Sequence, residues 1–226
     1  MKKSKLVVAL AVIAVLGVAS VAVAANVNGT AGPDTLFGTP QSDTINGLGG
    51  DDRIFGLAGN DQIDGGSDDD TIDGDGSCPA GATTPAYCET AGRGNDRISG
   101  GSGQDTINGN GGNDRVTGQG GDDRLRGNNG NDRLTGGSGT DVLSGGSGRD
   151  FLTGSGGDDR LRGQSGNDTI TGGSGRDQAE GGSGNDKIRV RDNSRDRVNC
   201  GSGRDTVTAD RRDRVARNCE RVSRRR

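Results

Sequence analysis

An aspartate recurs at every ninth position along most of this 226-residue chain. Two residues after each aspartate stands an aliphatic residue, and most of the aspartates follow a glycine-rich stretch, as in residues 136–144, Gly-Gly-Ser-Gly-Thr-Asp-Val-Leu-Ser. A fixed period of this kind indicates a repeat architecture, in which each unit stacks on its neighbours. The period therefore constrains the fold before any local structure is assigned. The first array contains Asp34, Asp43, Asp52, Asp61 and Asp70, and the second contains Asp96, Asp105, Asp114, Asp123, Asp132, Asp141, Asp150, Asp159, Asp168, Asp177 and Asp186.

The composition is unusual for a folded domain. Glycine supplies 46 of the 226 residues, apolar residues make up 27% and aromatic residues only 2%. An ordinary globular domain uses about 45–50% apolar residues, and glycine loses the most backbone entropy on folding. Composition alone would predict disorder. Because the strict period argues against disorder, the two observations together predict a fold that needs an external stabiliser.

Each repeat predicts a glycine-rich turn over its first six positions and a short strand over its last three, with the central aliphatic side chain pointing inward. Two repeats, or 18 residues, would complete one coil with a strand on each of two faces. Stacked coils predict a parallel β-roll whose core is one aliphatic residue thick. Residues 18 positions apart would then stack on the same edge of the roll.

The stacking predicts two columns of aspartates. Asp132, for example, would lie between Asp114 and Asp150. Carboxylates about 5 Å apart repel by roughly 1 kcal/mol even in water, so such a column is unfavourable without a cation between neighbours. Calcium fits because it accepts carboxylate and carbonyl oxygens in flexible geometry, whereas magnesium demands a tighter octahedron. Single aspartates often only cap turns, but an array in register favours calcium.

The repeat reads G-G-x-G-x-D-x-U-x, and over about residues 34–205 the chain thereby resembles the RTX (hemolysin-type) calcium-binding nonapeptide-repeat proteins, in particular the small, secreted, repeat-only type. The resemblance implies an all-β fold, a calcium-stapled, right-handed parallel β-solenoid or β-roll. It also implies that each ion is held between successive loops on one edge by aspartate carboxylates and loop carbonyls, with up to roughly a dozen Ca²⁺ ions in all.

The predicted calcium ligands are the aspartates of the well-formed repeats. Loops 39–43 and 194–196 lack the glycines, so no full site is predicted at Asp43 or Asp196. The predicted metal-binding residues are Asp34, Asp52, Asp61, Asp70, Asp96, Asp105, Asp114, Asp123, Asp132, Asp141, Asp150, Asp159, Asp168, Asp177, Asp186 and Asp205.

Residues 1–25 predict a secretory signal peptide, because a Lys-rich start is followed by an apolar run and the small residues Ala-Val-Ala at positions 22–24. The apolar run is long enough to span a bilayer, so an uncleaved anchor is the alternative. After cleavage we expect a secreted, extracellular protein without a membrane span. The rest of the chain is predicted to comprise N-terminal RTX repeats (26–76), a disulfide-closed insertion loop (77–92), the main β-roll (93–190), and degenerate repeats with an Arg-rich C-terminal cap (191–226).

Four cysteines in an exported chain predict two disulfides. Pairing by proximity in the sequence gives Cys78–Cys88, which would close the insertion loop, and Cys200–Cys219, which would tie the C-terminal cap. A four-cysteine zinc site is the alternative, but the chain has no C-x-x-C spacing and no histidine to support it.

The chain is not expected to be an enzyme, because it has no histidine and no H-E-x-x-H or G-x-S-x-G motif. We expect an extracellular protein that folds on calcium into a rigid rod with a structural or adhesive role. The alternative is a binder of ice or of an acidic cell-envelope polymer through threonine or arginine ladders, so a cell-surface or polysaccharide partner stays open. Nucleic-acid binding is not expected, because aromatic residues for base stacking are nearly absent. The threonine ladder comprises Thr117, Thr135, Thr153 and Thr171.

Overall fold

The computed structural model describes residues 24–75 and 94–224. All but the last two residues of the predicted signal peptide, and the predicted insertion loop with its Cys78–Cys88 pair, lie outside the described residues. Within the described part the regular structure consists of 21 β-strands without a helix. No helix there could therefore cross a bilayer.

The strands form two parallel sheets, one containing the odd-numbered and one the even-numbered strands. The first sheet contains, in spatial order, β1 (Asn26–Asn28), β3 (Thr44–Gly49), β5 (Gln62–Ser67), β7 (Arg97–Ser102), β9 (Arg115–Gly120), β11 (Arg133–Ser138), β13 (Phe151–Gly156), β15 (Thr169–Ser174), β17 (Lys187–Arg189), β19 (Thr206–Ala209) and β21 (Arg221–Arg224). The second sheet contains β2 (Thr35–Phe37), β4 (Arg53–Phe55), β6 (Thr71–Asp73), β8 (Thr106–Gly111), β10 (Arg124–Asn129), β12 (Val142–Ser147), β14 (Arg160–Ser165), β16 (Gln178–Ser183), β18 (Arg197–Ser202) and β20 (Arg214–Val215).

The register confirms a coil of two repeats. Leu125 pairs with Leu143, and Leu143 with Leu161, each 18 residues further along the chain. Across the predicted insertion the spacing becomes 35 residues, so that Ile63 pairs with Ile98. Because 35 equals 18 plus the 17 inserted residues, the insertion leaves the stacking of the coils unchanged. The prediction of an all-β parallel solenoid is confirmed, and the solenoid has about ten turns.

Most strands are longer than the sequence predicts. They span six residues, as in Arg133–Ser138, and so include the first three positions of the next repeat as well as the predicted three. These glycine-rich positions continue the ladder because a tightly stacked backbone must pair its N–H and C=O groups with the neighbouring coil. Gly137, for instance, pairs with Ser155. The turn of each repeat is therefore confined to a few residues around the aspartate.

The core is a single stack of aliphatic side chains, as predicted. One side chain per repeat points inward from each strand, and nearly all of them are fully buried. The stack comprises Val27, Leu36, Ile45, Ile54, Ile63, Ile72, Ile98, Ile107, Val116, Leu125, Leu134, Leu143, Leu152, Leu161, Ile170, Ala179, Ile188, Val198 and Val207.

The last coils are tied by the predicted Cys200–Cys219 disulfide, which joins residues 19 positions apart. Arg224 in the last strand donates from Nη1 to the backbone carbonyls of Asp210 and Asp213, at 3.0 and 3.2 Å. The disulfide and the Arg224 hydrogen bonds connect the last described coil to the coils beneath it.

Candidate metal centres

The register brings the nine-residue aspartates into two columns, one directly before the strands of each sheet. Every side chain in these columns is buried, with at most 5% of any residue exposed. The first column contains Asp43, Asp61, Asp96, Asp114, Asp132, Asp150, Asp168, Asp186 and Asp205, and the second contains Asp34, Asp52, Asp70, Asp105, Asp123, Asp141, Asp159, Asp177, Asp196 and Asp213.

One oxygen of each carboxylate is used to connect the coils. The backbone N–H of Asp114 donates to Oδ1 of Asp132 at 2.8 Å, and the N–H of Asp132 donates to Oδ1 of Asp150 at 2.8 Å. The same bond crosses the insertion, where the N–H of Asp61 donates to Oδ1 of Asp96 at 2.8 Å. From Asp43 onward, each aspartate of the columns accepts a backbone hydrogen bond from the previous coil with Oδ1.

The other oxygen, Oδ2, is buried in most members of both columns and has no hydrogen-bond partner among the described residues. Leaving a buried polar group unsatisfied costs about 1–3 kcal/mol, and more if it is charged. A repeated orphan oxygen of this kind fits a site for a hard cation, which takes carboxylate oxygens as ligands. The aspartates with an orphan Oδ2 are Asp52, Asp61, Asp70, Asp96, Asp105, Asp114, Asp123, Asp132, Asp141, Asp150, Asp159, Asp168, Asp177, Asp186, Asp196 and Asp205.

Glycines make room for these oxygens. A Cβ on Gly136, the first position of its repeat, would collide with Oδ2 of Asp141 and would lie 2.8 Å from the carbonyl oxygen of Gly154. A Cβ on Gly139, whose φ is 129°, would collide with the carbonyl oxygen of Gly121. Carboxylate and carbonyl oxygens therefore approach the same glycine positions on each edge.

Among the described residues, no three acidic, histidine or cysteine side chains converge on one point. Calcium also accepts backbone carbonyl oxygens. The backbone carbonyl oxygens that face the loop glycines, such as those of Gly121 and Gly154, are further possible metal ligands beside the aspartates. A calcium ion in a column would be held by these two kinds of oxygen, and it would supply the positive charge that the stacked carboxylates lack.

The electrostatics of the columns favour a cation. Burial, together with the charge of a neighbouring carboxylate, raises the pKa of Asp132 and of Asp150 from 3.8 to about 6. The effect is larger at Asp96, where burial and then the charges of Asp75, Asp61 and Asp114 raise the pKa to about 8. A bound cation would offset the desolvation and repulsion that disfavour ionised carboxylates here.

In Asp34 and Asp43, unlike in most members of the columns, Oδ2 has a partner within the described part of the chain. Oδ2 of Asp34 accepts the N–H of Thr30 at 2.6 Å. Oδ2 of Asp43 accepts the N–H and the hydroxyl of Thr39. The expectation that the glycine-poor loop of Asp43 forms no full site stays a prediction. Asp34 stays a predicted ligand, but it lacks the orphan oxygen that marks the others.

Three acidic residues in or beside the columns were not among the predicted ligands. Asp196 has an orphan Oδ2 like its neighbours, although its loop lacks glycine. Asp75 is 2% exposed and accepts the N–H of Gly94 with both oxygens, at 2.9 and 2.8 Å. Glu220 ends the first column, since its Oε2 accepts the N–H of Asp205 at 2.7 Å. Asp75 and Glu220 fall outside the nine-residue spacing on which the prediction relied.

The structure has parallel coils of two nonapeptides each and two columns of buried carboxylates, most of which have one hydrogen-bonded oxygen and one oxygen without a partner among the described residues. These features are typical of metal-dependent β-solenoids. In a comparison with known families, residues 28–63, 47–77, 90–125, 117–152 and 153–188 match the RTX calcium-binding nonapeptide repeat (4 copies). These matches cover more than half of the chain, which therefore belongs to the RTX calcium-binding nonapeptide-repeat family, and its repeats bind calcium. A search of the curated proteins finds no match.

Replacing Gly136 by alanine is expected to destabilise the calcium-loaded protein by about 1–3 kcal/mol, because the added Cβ overpacks the carboxylate of Asp141. The matched control is Gly120→Ala, where a Cβ would meet only Oγ of Ser138, at 3.5 Å. The measurement is the midpoint of urea unfolding in saturating calcium. Equal midpoints for the two variants would contradict the prediction, because they would show that position 1 of the repeat does not need glycine to leave room for the carboxylate.

The double variant Asp132→Asn, Asp150→Asn is expected to change stability in opposite directions with and without calcium. Asparagine keeps the Oδ1 acceptor but removes the charge, so calcium binding and stability in calcium should fall. Without calcium at neutral pH the variant should keep more β signal than the parent, because no desolvated charge remains at the two sites. Urea unfolding and stoichiometry would be measured in calcium, and far-ultraviolet circular dichroism would be measured in chelator.

The control for this experiment is Asp69→Asn, Asp122→Asn, which removes two exposed carboxylates. Oδ1 of each accepts a backbone N–H, from Gln104 and Thr140, both at 2.7 Å. The control therefore removes the same two charges and keeps the same kind of Oδ1 acceptor as the test variant, but it removes no buried carboxylate. A control that behaved like the test variant would mean that net charge, and not the columns, governs calcium dependence.

Proposed function

We propose that this protein is an extracellular, non-catalytic rod that folds on calcium and has a structural or adhesive role. The observation that carries the proposal is the orphan Oδ2 repeated along both columns. Because these atoms run along nearly the whole solenoid, the ion would stabilise the entire rod and not one local site. With about ten turns and a strand spacing of about 4.8 Å, the rod would be roughly 50 Å long.

Two features support an extracellular location. Extracellular calcium modules bind with dissociation constants of roughly 10⁻⁴–10⁻³ M, so a fold that depends on such sites suits a calcium-rich medium. The Cys200–Cys219 disulfide belongs to oxidising compartments. RTX repeat proteins are typically secreted, and the predicted signal peptide agrees with this location. In such a medium the protein would be rigid, and in a calcium-poor one it would be loose.

The second candidate function is a surface-ladder binder. Thr117, Thr135, Thr153 and Thr171 do stack in register on the first sheet, but they are half-buried. The neighbouring column contains arginines and a phenylalanine, which break the uniform surface an ice binder would need. The arginines of this neighbouring column favour an acidic polymer over ice as the ligand.

The test of the proposed function is to follow the chain in its own host. We expect the protein outside the cell without its first 25 or so residues, retained at the surface in calcium and released by a chelator wash. Detection by antibody after fractionation, with mass spectrometry of the N-terminus, would measure this. A chain that keeps Met1 and stays in the cytosol would overturn the proposal.

A further inference from the structure

A groove of about 470 Å³ runs along the first aspartate column. Its floor is formed by the column itself, one wall by Asn113, Asn131 and their neighbours, and the other wall by three arginines and a phenylalanine. We call it the arginine groove and define it by the wall that contains the arginines. That wall comprises Arg97, Arg115, Arg133 and Phe151.

The three arginines are stacked in direct register. Arg97 pairs with Arg115, and Arg115 with Arg133, on consecutive strands of the first sheet. Like charges directly opposite each other destabilise a sheet, and the strand spacing places these about 4.8 Å apart. A column of carboxylates without counter-charges favours a cation, and by the same physics this column of guanidinium groups favours an anion that spans several coils.

The three guanidinium groups form no ion pair with a carboxylate of the described part of the chain, although Asp96, Asp114 and Asp132 lie in the floor of the same groove. The ion pairs in that part of the chain involve Arg162, Arg176 and Arg191 instead. The guanidinium of Arg133 lies 5.0 Å above the ring of Phe151, a cation–π contact that holds both side chains at the groove. The three arginines are therefore exposed and without an ion pair among the described residues, and Arg133 is held against Phe151.

The opposite wall is neutral. Asn131 donates from Nδ2 to Oδ1 of Asn113 at 2.9 Å, and the N–H of Asn113 donates to Oδ1 of Asn95. The corresponding position on the other edge carries Asp122 and Asp158, so acidic side chains stand there in place of the amides. The arginine groove thus combines positive charge, side-chain amides and one aromatic ring along a straight line.

We propose that the arginine groove binds a linear polysaccharide that carries carboxylates, of the uronate type. Guanidinium groups pair bidentately with carboxylates, the asparagine amides can hydrogen-bond sugar hydroxyls, and the exposed ring of Phe151 offers a face for a sugar ring. A single-stranded nucleic acid would use several aromatic platforms, and Phe151 alone is available in this groove. The proposal names the partner of the adhesive role and so rests on the proposed function.

The experiment uses the purified, calcium-loaded chain and a fluorescent hyaluronan oligosaccharide, a uronate polymer that does not gel with calcium. Uncharged dextran of the same length and oligo-dT are the comparison ligands, all at one ionic strength. The test variant carries Arg97→Gln, Arg115→Gln and Arg133→Gln, and Phe151→Ala is tested separately. The control carries Arg160→Gln, Arg197→Gln and Arg214→Gln, which removes the same charge from the same repeat position on the second sheet.

We expect hyaluronan to bind at least tenfold more tightly than dextran, the test variant to lose at least tenfold in affinity, and the control to lose less than twofold. Phe151→Ala should weaken binding several-fold. Circular dichroism must show the same calcium-dependent fold in all variants, so a failure to bind by a folded chain overturns the groove alone. Equal losses in the two triple variants, or tighter binding of oligo-dT, would also overturn it. Failure of the proposed function would appear separately, as cytosolic location.

Discussion

Removing calcium near neutral pH is expected to abolish most of the β-sheet signal of this protein. Each orphan Oδ2 carries a penalty of about 1–3 kcal/mol when no cation compensates it, whereas a whole domain is stable by only about 5–15 kcal/mol. The apolar stack is one residue wide and cannot offset a penalty repeated along two columns. Calcium therefore has to contribute folding free energy directly.

The measurement is a calcium titration of the mature, oxidised chain followed by far-ultraviolet circular dichroism. We expect a cooperative gain of β signal at roughly 10⁻⁴–10⁻³ M calcium. Magnesium is the control, and because of its strict octahedral preference it should produce little or no gain. A fully folded spectrum in chelator would contradict the prediction, and would mean that the aliphatic stack and the Cys200–Cys219 disulfide suffice.

Acid is expected to replace calcium in part. Burial, assisted by like charges, raises the pKa of Asp123 and Asp159 to about 7, that of Asp168 to about 6, and that of Asp96 to about 8. The metal-free folded chain therefore binds protons more tightly than the unfolded chain, where the pKa is 3.8. The stabilisation that comes from protonating the column carboxylates is complete below pH 3.8, and it is lost as the pH rises through about 6 to 8.

In calcium-free solution the β signal should consequently rise as the pH is lowered from about 8, with a midpoint between about 6 and 7. The gain should peak near pH 4–6, because further acidification leaves the 28 lysines and arginines without counter-charges. With calcium present the sign is opposite, since protons compete for the same oxygens and the affinity for calcium falls in this window. A calcium-free chain equally unfolded from about pH 8 to pH 5 would contradict the prediction.

The stacking of residues was predictable because the coil has a fixed length. Once two nonapeptides close one coil, Asp132 must lie beside Asp114 and Asp150, and Leu134 must lie in the core beside the aliphatic residue of the next coil. An alternation of glycine, aspartate and aliphatic residues allows no other register without exposing the whole aliphatic stack. The same rule holds across the 17-residue insertion, where Asp61 meets Asp96.

The partners of individual atoms were not predictable from that rule. The period places Asp34 and Asp52 in equivalent positions. The backbone N–H of Thr30 donates to Oδ2 of Asp34, whereas Oδ2 of Asp52 has no hydrogen-bond partner in the described part of the chain. Asp75 and Glu220 reach the columns from positions outside the period, because loop conformation carries their side chains there.

The sequence by itself determined the two-repeat coil, the parallel sheets, the single aliphatic stack and the two carboxylate columns. Each of these follows from a period that only one stacking can satisfy. Only the tertiary structure decided that Oδ1 is committed to the next backbone while Oδ2 is left free, and that three arginines and Phe151 form one wall of a groove. Those features depend on hydrogen bonds and side-chain directions between coils, which the spacing of residues along the chain does not specify.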